Sequence, residues 1–369
     1  NTLIIRGIEL ATERLIGLAN TAIKSNFVKL DKPYKLNFCV TYLCQSRCET
    51  CNIWQIKPKG ELTIDEVREF AKKNTYFKWV ELTGGEPFLR GDIVEIAKAF
   101  KENSKELYIL TMPTNSLCNQ DMVERKLREI LALGIPRIAI TVSLDGYREL
   151  HDKIRGIPGN YDKAIAMFKR LKALKKEYSN LFFVFGYTLS KFNKGEFEKT
   201  YEAVKSEIPD IRHNDFHINL AQVSTNYYGN GSDDIKANNA EVVGELESIL
   251  KHREFQIGII PIIETAFTRK LVKYAKTGTS PMITLHGQLR ECLSVDNVGH
   301  KDREHKGHLV RPASALAQRP GKERKGGDKG GPRAEPVDIV RGLPDAYREY
   351  NQPAHLTLFI ICPIISYGA

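Results

Sequence analysis

The feature that most constrains this chain is the alternation of short β-rich runs with longer helical patterns from Tyr34 onward. The runs that we interpret as strands are residues 35–41, 78–84, 106–112, 137–144, 181–189 and 215–223. Between them lie segments with acidic starts and apolar residues near a 3.6-residue repeat, which is typical of helices. This alternation indicates βα units and a parallel sheet. We therefore predict an α/β fold built as a partial (βα)6 barrel like part of a TIM barrel.

Each of the first five predicted strands is followed by an unusual loop. The loops are, in order, a stretch with three cysteines, "GGEPF", "TMPTNS", "SLDGYRELHDKIRG" and "SKFNKG". In parallel α/β barrels the loops at the carboxyl ends of the strands converge on a single rim. Motifs that are far apart in the sequence would then be neighbours, and together they predict one site.

The first loop, "TYLCQSRCETCNIW", places Cys44, Cys48 and Cys51 within eight residues. A structural zinc ion or a closed iron–sulfur cluster takes four protein ligands, usually from two close pairs. Three cysteines at these spacings therefore indicate a metal with an open position. An open position on a metal is typical of a site that performs chemistry.

Three other interpretations of the cysteines compete with this one. Positions 44, 48 and 51 share one helical face and could be core residues, but the next position on that face is Gln55. A structural zinc ion would need a distant fourth ligand, and the chain offers for this Cys39, Cys118, Cys292 and Cys362. A disulfide framework is disfavoured because seven cysteines in 369 residues are sparse and odd in number. With no secretory signal pattern, these cysteines predict a cytoplasmic location.

Three motifs together resemble the radical S-adenosylmethionine (SAM) enzymes. The resemblance rests on the CxxxCxxC loop, on Gly84-Gly85-Glu86-Pro87 and on Ser143-Leu144-Asp145-Gly146, and it runs from about Tyr34 to Gln222. It is strongest to the branch that includes the molybdenum-cofactor enzyme and the maturases with a C-terminal extension of the SPASM or twitch kind. The resemblance implies a [4Fe-4S] cluster on Cys44, Cys48 and Cys51, with SAM on the fourth iron. It also implies reductive cleavage of SAM to a 5′-deoxyadenosyl radical, which abstracts hydrogen from the substrate.

The same resemblance assigns residues at the rim to SAM. These residues are Gly84, Gly85, Glu86, Asn115, Ser143, Asp145 and Arg155. The backbone of the glycine pair would face the methionyl amino group, and Arg155 would pair with the SAM carboxylate. Without the resemblance, the same residues would be interpreted as a strand-to-helix turn, a turn or cap at Asp145-Gly146, and a solvated surface arginine. No catalytic residue is assigned.

The chain before the predicted barrel is interpreted as one helix, residues 1–33. Its apolar residues share one face, and they are Ile4, Ile8, Leu15, Leu18 and Ala22. Packing on the barrel explains this face better than an interfacial membrane helix, which would carry a strongly basic polar face. Residues 34–255 are predicted to form the radical SAM core.

Two segments follow the predicted core. Residues 256–299 are predicted to be helical and auxiliary, and "RECLSVDNVG" with Cys292 resembles the start of a SPASM or twitch extension. Residues 300–369 form a basic tail rich in Gly and Pro, which we predict to be disordered. Its first part, residues 300–333, holds ten Lys or Arg against four Asp or Glu, which is +6 of the chain's net charge of +10. The abrupt change of composition after Gly299 also fits a reading-frame shift in the source sequence.

The sequence thus favours a radical SAM enzyme that modifies a peptide or protein. The alternatives are small-molecule cofactor biosynthesis by the same chemistry and a metal-stabilised module that contacts nucleic acid non-specifically through its basic tail. The enzyme hypothesis requires a low-potential electron donor of the flavodoxin or ferredoxin type. No membrane span is predicted, because the apolar run near the C-terminus is short and interrupted by Pro363.

Overall fold

The structure is a computed structural model, and it describes a defined part of the chain. The described residues are 2–25, 28, 30–58, 60–224, 227–231, 233–253, 265, 268, 269, 271–273, 276 and 292–296, with backbone alone for 2–8 and 292–296. The predicted tail, 300–369, and most of the predicted auxiliary segment, 256–299, lie outside these residues.

The strands form one parallel sheet, which confirms the predicted α/β fold. They are β1 (Lys35–Thr41), β2 (Trp79–Gly84), β3 (Ile109–Thr114), β4 (Arg137–Ser143), β5 (Leu181–Leu189), β6 (Phe216–Leu220) and β7 (Cys292–Asp296). Their order across the sheet is β6-β5-β4-β3-β2-β1-β7. All neighbouring pairs are parallel. Strands β1 to β6 follow one another in sequence order, as in an open (βα)6 barrel.

The strands differ most from the sequence prediction in three places. Strand β3 begins three residues later than expected, because the chain at Leu107 makes a turn in which its N–H donates to the Ser104 carbonyl oxygen, 3.0 Å away. Strand β6 ends at Leu220, three residues earlier than expected. Strand β7 was not predicted as a strand; it pairs with β1 over five residues, from Lys35↔Cys292 to Cys39↔Asp296. It thereby covers a backbone edge of β1 that would otherwise carry unpaired polar groups.

Helices connect the strands, and their ends follow local signals in the sequence. They are α1 (Thr2–Lys24), α2 (Ile64–Lys73), α3 (Ile93–Asn103), α4 (Gln120–Leu131), α5 (Arg148–Arg155), α6 (Asn160–Leu174), α7 (Phe197–Glu207) and α8 (Asn239–His252). Thr63 and Glu66 form a capping box at the start of α2, and Asn238 and Glu241 form another at α8. Helix α5 was missed by the sequence analysis. It lies inside the loop after β4 and ends at Gly156, which has a left-handed φ of 67°.

The two faces of the sheet have different partners. The outer face packs under the helices in one apolar cluster that includes Phe38, Val80, Leu110 and Phe100. On the inner face the alternating side chains include Lys35 and Glu81, whose charged groups pair at 2.9 Å. The inner face is therefore the more polar of the two, as expected where a barrel receives a ligand.

Helix α1 closes the end of the sheet opposite the rim. Leu18 and Ala22 are buried against Tyr108, Ile109 and Ala139, near the starts of β3 and β4. This contact confirms the predicted packing of the helix on the barrel for the part of its apolar face that includes Leu15, Leu18 and Ala22. Among the described residues, no helix is both long and apolar enough to cross a membrane.

Candidate active site

The loop that carries the three cysteines begins where the register of β1 shifts. Between Cys39 and Thr41 the pairing with β2 is irregular, and the chain then leaves the sheet. Cys44, Cys48 and Cys51 are all half-buried free thiols. Burial raises the pKa of Cys44 to about 11 and that of Cys51 to about 12. The sulfur atoms of Cys44 and Cys51 are therefore neutral thiols at pH 7 when no metal is bound, although Arg155 partly opposes the effect of burial at Cys51.

The positive charge that faces this loop belongs to Arg155, at the end of α5. Its Nη1 lies 3.7 Å from Cys48 Sγ, and its Nη2 lies 2.7 Å from Asp145 Oδ2. The backbone joins the two elements as well, since Arg47 N–H donates to the Arg155 carbonyl oxygen at 2.9 Å. The acidic partner and the thiol raise the pKa of Arg155 although burial lowers it. Arg155 is thus a largely buried cation, 14% exposed, between Asp145 and the cysteine loop, and not a solvated surface charge.

Gly156 explains how α5 comes so close to the cysteine loop. A Cβ at this position would lie 2.5 Å from the Arg47 carbonyl oxygen, and the residue has a positive φ. Both conditions are met without strain only by glycine. The short sequence "IRG" therefore ends the helix and docks it on the loop at the same point.

The glycine pair after β2 fits against the same loop from the other side. A Cβ on Gly84 would lie 2.2 Å from the Thr41 carbonyl oxygen, and a Cβ on Gly85 would lie 2.1 Å from the Leu43 carbonyl oxygen. The N–H of Gly85 donates to Thr41 O at 2.8 Å. The N–H of Glu86 donates to Leu43 O, also at 2.8 Å. The polar groups that the pair can turn toward a ligand are therefore carbonyl oxygens, which suit an amino group.

Glu86 is buried, and its carboxylate serves the protein itself. One oxygen accepts from Phe88 N–H at 3.2 Å; the other accepts from Asn115 N–H at 2.7 Å and from the Thr114 hydroxyl at 3.3 Å. Burial raises the pKa of Glu86 to about 7, and these hydrogen bonds only partly oppose it. Glu86 therefore ties the loop after β3 to the loop after β2. Glu86 would therefore affect a ligand at the rim only through the position of these two loops.

Asn115 lies directly beside the cysteine loop. Its Nδ2 is 3.6 Å from Cys44 Sγ and 3.3 Å from Gln45 Oε1, to which it donates. Its carbonyl oxygen accepts from the side chain of Asn160 at 2.8 Å. Gln45 in turn donates to Cys118 Sγ at 3.1 Å, so Cys118 also borders this loop, with its pKa raised by burial to about 11.

Asp145 is held from four directions. Its Oδ1 accepts from Thr188 N–H at 2.9 Å and its Oδ2 pairs with Arg155, while its own N–H donates to His151 Nδ1 at 3.0 Å. Its carbonyl oxygen accepts from Asn193 at 2.9 Å. Both carboxylate oxygens are thus occupied by protein groups, and Asp145 orients Arg155. Ser143, at the end of β4, is half-buried at the rim beside Gly186 of β5.

The segment after β6 was missed by the sequence analysis, yet it packs on the cysteine loop. Asn230 Nδ2 donates to the Thr50 carbonyl oxygen at 2.8 Å, and Asn52 N–H donates to Tyr228 O at the same distance. The ring of Tyr228 packs in the apolar cluster that includes Cys51. The signal available in the sequence was the stretch "NYYGNG", with turn-forming Asn and Gly on both sides of a tyrosine pair.

The structure brings all of the predicted site residues to one edge of the sheet. Among the described residues, the group of three metal-ligating side chains with ligand atoms within 4.8 Å of one another is Glu198, His213 and His252, which lies away from the cysteine loop.

Comparison with known proteins agrees with this geometry. Residues 38–204 match the family model of the Radical SAM superfamily. These residues run from β1 into α7 and include every predicted site residue.

One curated relative is similar to part of the chain. The AdoMet-dependent heme synthase of Methanosarcina barkeri is 35% identical over 151 residues, which are 40% of this chain and 40% of that protein. The chain thus matches less than half the length of this relative.

One solved structure shares the fold, and a second is similar over part of the chain. SuiB of Streptococcus suis bound to S-adenosylmethionine superposes with a TM-score of 0.50 at 16% identity, over 78% of this chain and 64% of SuiB. Native anSMEcpe with bound AdoMet gives a TM-score of 0.43 at 16% identity, over 60% of this chain and 61% of that one. Residues 38–204 are thus similar to the Radical SAM superfamily, whose members are enzymes that bind a [4Fe-4S] cluster and S-adenosylmethionine.

Proposed function

We propose that this chain is a radical SAM enzyme in which Cys44, Cys48 and Cys51 hold a [4Fe-4S] cluster. The observation that carries the proposal is the position of the three half-buried thiols beside the largely buried cation Arg155. A metal ion deprotonates the thiols that bind it, and the Arg155 guanidinium would offset part of the negative charge of the resulting thiolates. The donor set and its surroundings therefore fit the cluster.

The residues around the cysteine loop also fit SAM. The carbonyl oxygens of Gly84 and Gly85 would accept hydrogen bonds from the methionyl amino group, and Ser143 would contact the ligand from the end of β4. Arg155 would share its guanidinium between Asp145 and the SAM carboxylate, because an arginine carries five N–H donors. Asn115 would orient the ligand from the loop after β3, and Glu86 and Asp145 would position these groups indirectly.

When bound and reduced, the cluster supplies the electron that cleaves SAM to methionine and a 5′-deoxyadenosyl radical, which takes hydrogen from the substrate. The chain's own residues would hold SAM, orient it and keep water from the rim. The electron would come from a low-potential donor of the flavodoxin or ferredoxin type. This partner follows from the chemistry, since radical SAM enzymes need an external electron.

The substrate would lie against the inner face of the sheet, between α1 and the cysteine loop. There Trp79 Nε1 donates to Thr111 Oγ1 at 3.0 Å, and the hydroxyls of Thr83 and Tyr227 lie 3.3 Å apart. The Lys35 ammonium lies over the Trp79 ring, 4.0 Å from its centroid. This face offers hydroxyls, one ion pair and one indole ring.

Two substrate classes remain, peptide or protein modification and small-molecule cofactor biosynthesis. The sequence around Cys292 led to peptide or protein modification, but in the structure Cys292 begins β7, a strand of the barrel sheet itself. The relative named as an AdoMet-dependent heme synthase favours small-molecule cofactor biosynthesis. We therefore place small-molecule biosynthesis first and peptide modification second.

Cluster content and SAM cleavage test the proposal together. Anaerobically reconstituted protein should contain about four irons per chain. With SAM and dithionite it should release 5′-deoxyadenosine, measured by liquid chromatography. Cys44→Ala, Cys48→Ala and Cys51→Ala should each abolish both properties, because each removes a ligand. Cys118→Ala is the matched control: it removes a buried thiol next to the same loop and should retain cluster and cleavage.

Two results would count against the proposal. A full cluster with neither SAM binding nor cleavage would indicate an electron-transfer or structural cluster. Equal loss of iron in Cys118→Ala and in the other three variants would indicate a general effect of cysteine removal. If cleavage occurs, transfer of deuterium into 5′-deoxyadenosine from a labelled porphyrin-type compound or a labelled peptide would decide between the two substrate classes.

A further inference from the structure

A second group of metal-ligating side chains lies among the outer helices. It consists of Glu198 near the start of α7, His213 in the turn before β6, and His252 at the end of α8. His213 Nε2 is 3.1 Å from Glu198 Oε2, and His252 Nδ1 is 3.4 Å from Glu198 Oε1. One ligand atom from each of the three lies within 4.8 Å of the other two. The residues come from three separate elements, so only the fold brings them together.

The geometry of the two imidazole rings is restricted by their neighbours. The ring of Tyr201 stacks on His213 with centroids 3.7 Å apart, and the rings of His213 and His252 are nearly parallel, at 15° and 5.4 Å. His213 is therefore held from both sides, and its side chain is 10% exposed. A ligand that is already oriented loses little conformational entropy when it binds a metal.

Glu198 carries the feature that most needs an explanation. Within the described part of the chain, its Oε1 is buried and accepts no hydrogen bond, although its side chain is 39% exposed as a whole. A buried carboxylate oxygen that makes no hydrogen bond, and whose charge is offset only if His252 at 3.4 Å is protonated, is costly in free energy. A cation between this oxygen and the two imidazoles would supply the missing interaction.

We propose that Glu198, His213 and His252 bind a divalent transition-metal ion of the zinc type, separate from the iron of the cysteine loop. Two imidazole nitrogens and one carboxylate are a usual set of protein ligands for zinc, with water in the fourth position. The ion would tie the last turn of α8 to α7 and to the turn that leads into the edge strand β6. Its role would be to stabilise this side of the barrel.

Two neighbouring contacts set the conditions for binding. His252 Nδ1 lies 2.9 Å from the Ser248 carbonyl oxygen of its own helix, so the metal would replace that hydrogen bond. The Nη2 of Arg253 donates to the Phe216 carbonyl oxygen at 3.2 Å, and the charge of this guanidinium also acts on His213, so it opposes a second cation there. His252 is the most exposed of the three ligands, with 52% of its side chain accessible, and it can turn toward the ion.

Zinc binding to the cluster-loaded protein tests the proposal. With the cysteines already occupied by iron, dialysis against micromolar zinc chloride should leave one zinc per chain, measured by mass spectrometry of the metals. Glu198→Gln and His252→Ala should each weaken zinc binding by more than about 100-fold, since residues beyond the ligand shell alone are worth about 10- to 100-fold. Zinc should also raise the melting temperature of the unsubstituted protein and not that of the two variants.

The matched controls are Glu202→Gln, on an exposed turn of α7, and Lys251→Ala, next to His252 on α8. Both should bind zinc as the unsubstituted protein does, and all four variants should keep their iron content and circular dichroism spectrum. Absence of bound zinc would overturn the proposal. So would zinc that is retained equally in Glu198→Gln and His252→Ala, because the ion would then lie elsewhere.

Discussion

The outer face of the sheet and its carboxyl-terminal edge are held together by different interactions. On the outer face, Phe38, Val80 and Leu110 lie in one apolar cluster under the helices. At the carboxyl-terminal edge, the loops are connected by the Asp145–Arg155 ion pair and by hydrogen bonds of buried asparagines. The outer face is stabilised by removal of apolar surface from water, which has no preferred direction. The edge is stabilised by hydrogen bonds and one buried ion pair, and each of these requires a partner in a fixed place. The two regions should therefore respond differently to substitution.

Asp145 gives the largest expected effect. Asp145→Ala leaves the buried Arg155 guanidinium without its carboxylate, and loss of one partner of a buried pair costs about 3 to 5 kcal/mol. We expect a lower free energy of unfolding in urea, followed by circular dichroism, and a lower affinity for SAM. In the double variant Asp145→Ala/Arg155→Met the stability loss should be smaller, because no uncompensated charge remains. If both variants lose the same free energy, the pair is not the main support of the edge.

Gly85 tests the close approach of β2 to the cysteine loop. In Gly85→Ala the new Cβ would lie 2.1 Å from the Leu43 carbonyl oxygen, and overpacking of this kind costs about 1 to 3 kcal/mol. The loop should move, so we expect reduced iron content per chain together with a lower melting temperature.

Gly91→Ala is the control for this substitution, because no atom lies within 4 Å of a Cβ built at Gly91. It should leave iron content and melting temperature nearly unchanged. An iron content in Gly85→Ala equal to that of Gly91→Ala would show that the loop tolerates the extra methyl group.

Glu86 gives the most specific effect, a dependence of stability on pH. Because burial raises the pKa of Glu86 to about 7 from an ordinary value of 4.5, the folded chain binds a proton that the unfolded chain releases. The stability from this group is fully present below pH 4.5 and is lost as the pH rises through 7. We expect the melting temperature to fall from pH 5 to pH 8 more steeply in the unsubstituted protein than in Glu86→Gln. Equal slopes would show that the carboxylate ionises freely at this edge.

Much of the fold could be predicted from the sequence. The six strands β1 to β6 and the helices between most of them were found from local periodicity and acidic helix starts, which act within a few residues, as the capping box of Thr63 with Glu66 also does. Helix α5 was missed because it has eight residues inside a loop. Strand β7 was missed because its five residues gain their partner only from the edge of β1, which is more than 250 residues away.

The candidate site was likewise predictable only in part. The sequence by itself determined which residues could take part: three thiols with no adjacent fourth ligand, a glycine pair, and polar residues at the ends of strands. It did so because metal-ligand chemistry and glycine geometry are properties of residue type and spacing. Only the tertiary structure decided how these residues are used. It directed Asp145 to Arg155 and Arg155 to Cys48, buried Glu86 between two loops, and assembled Glu198, His213 and His252. These arrangements join residues from separate βα units, and no local pattern encodes which side chains meet when the strands assemble into one sheet.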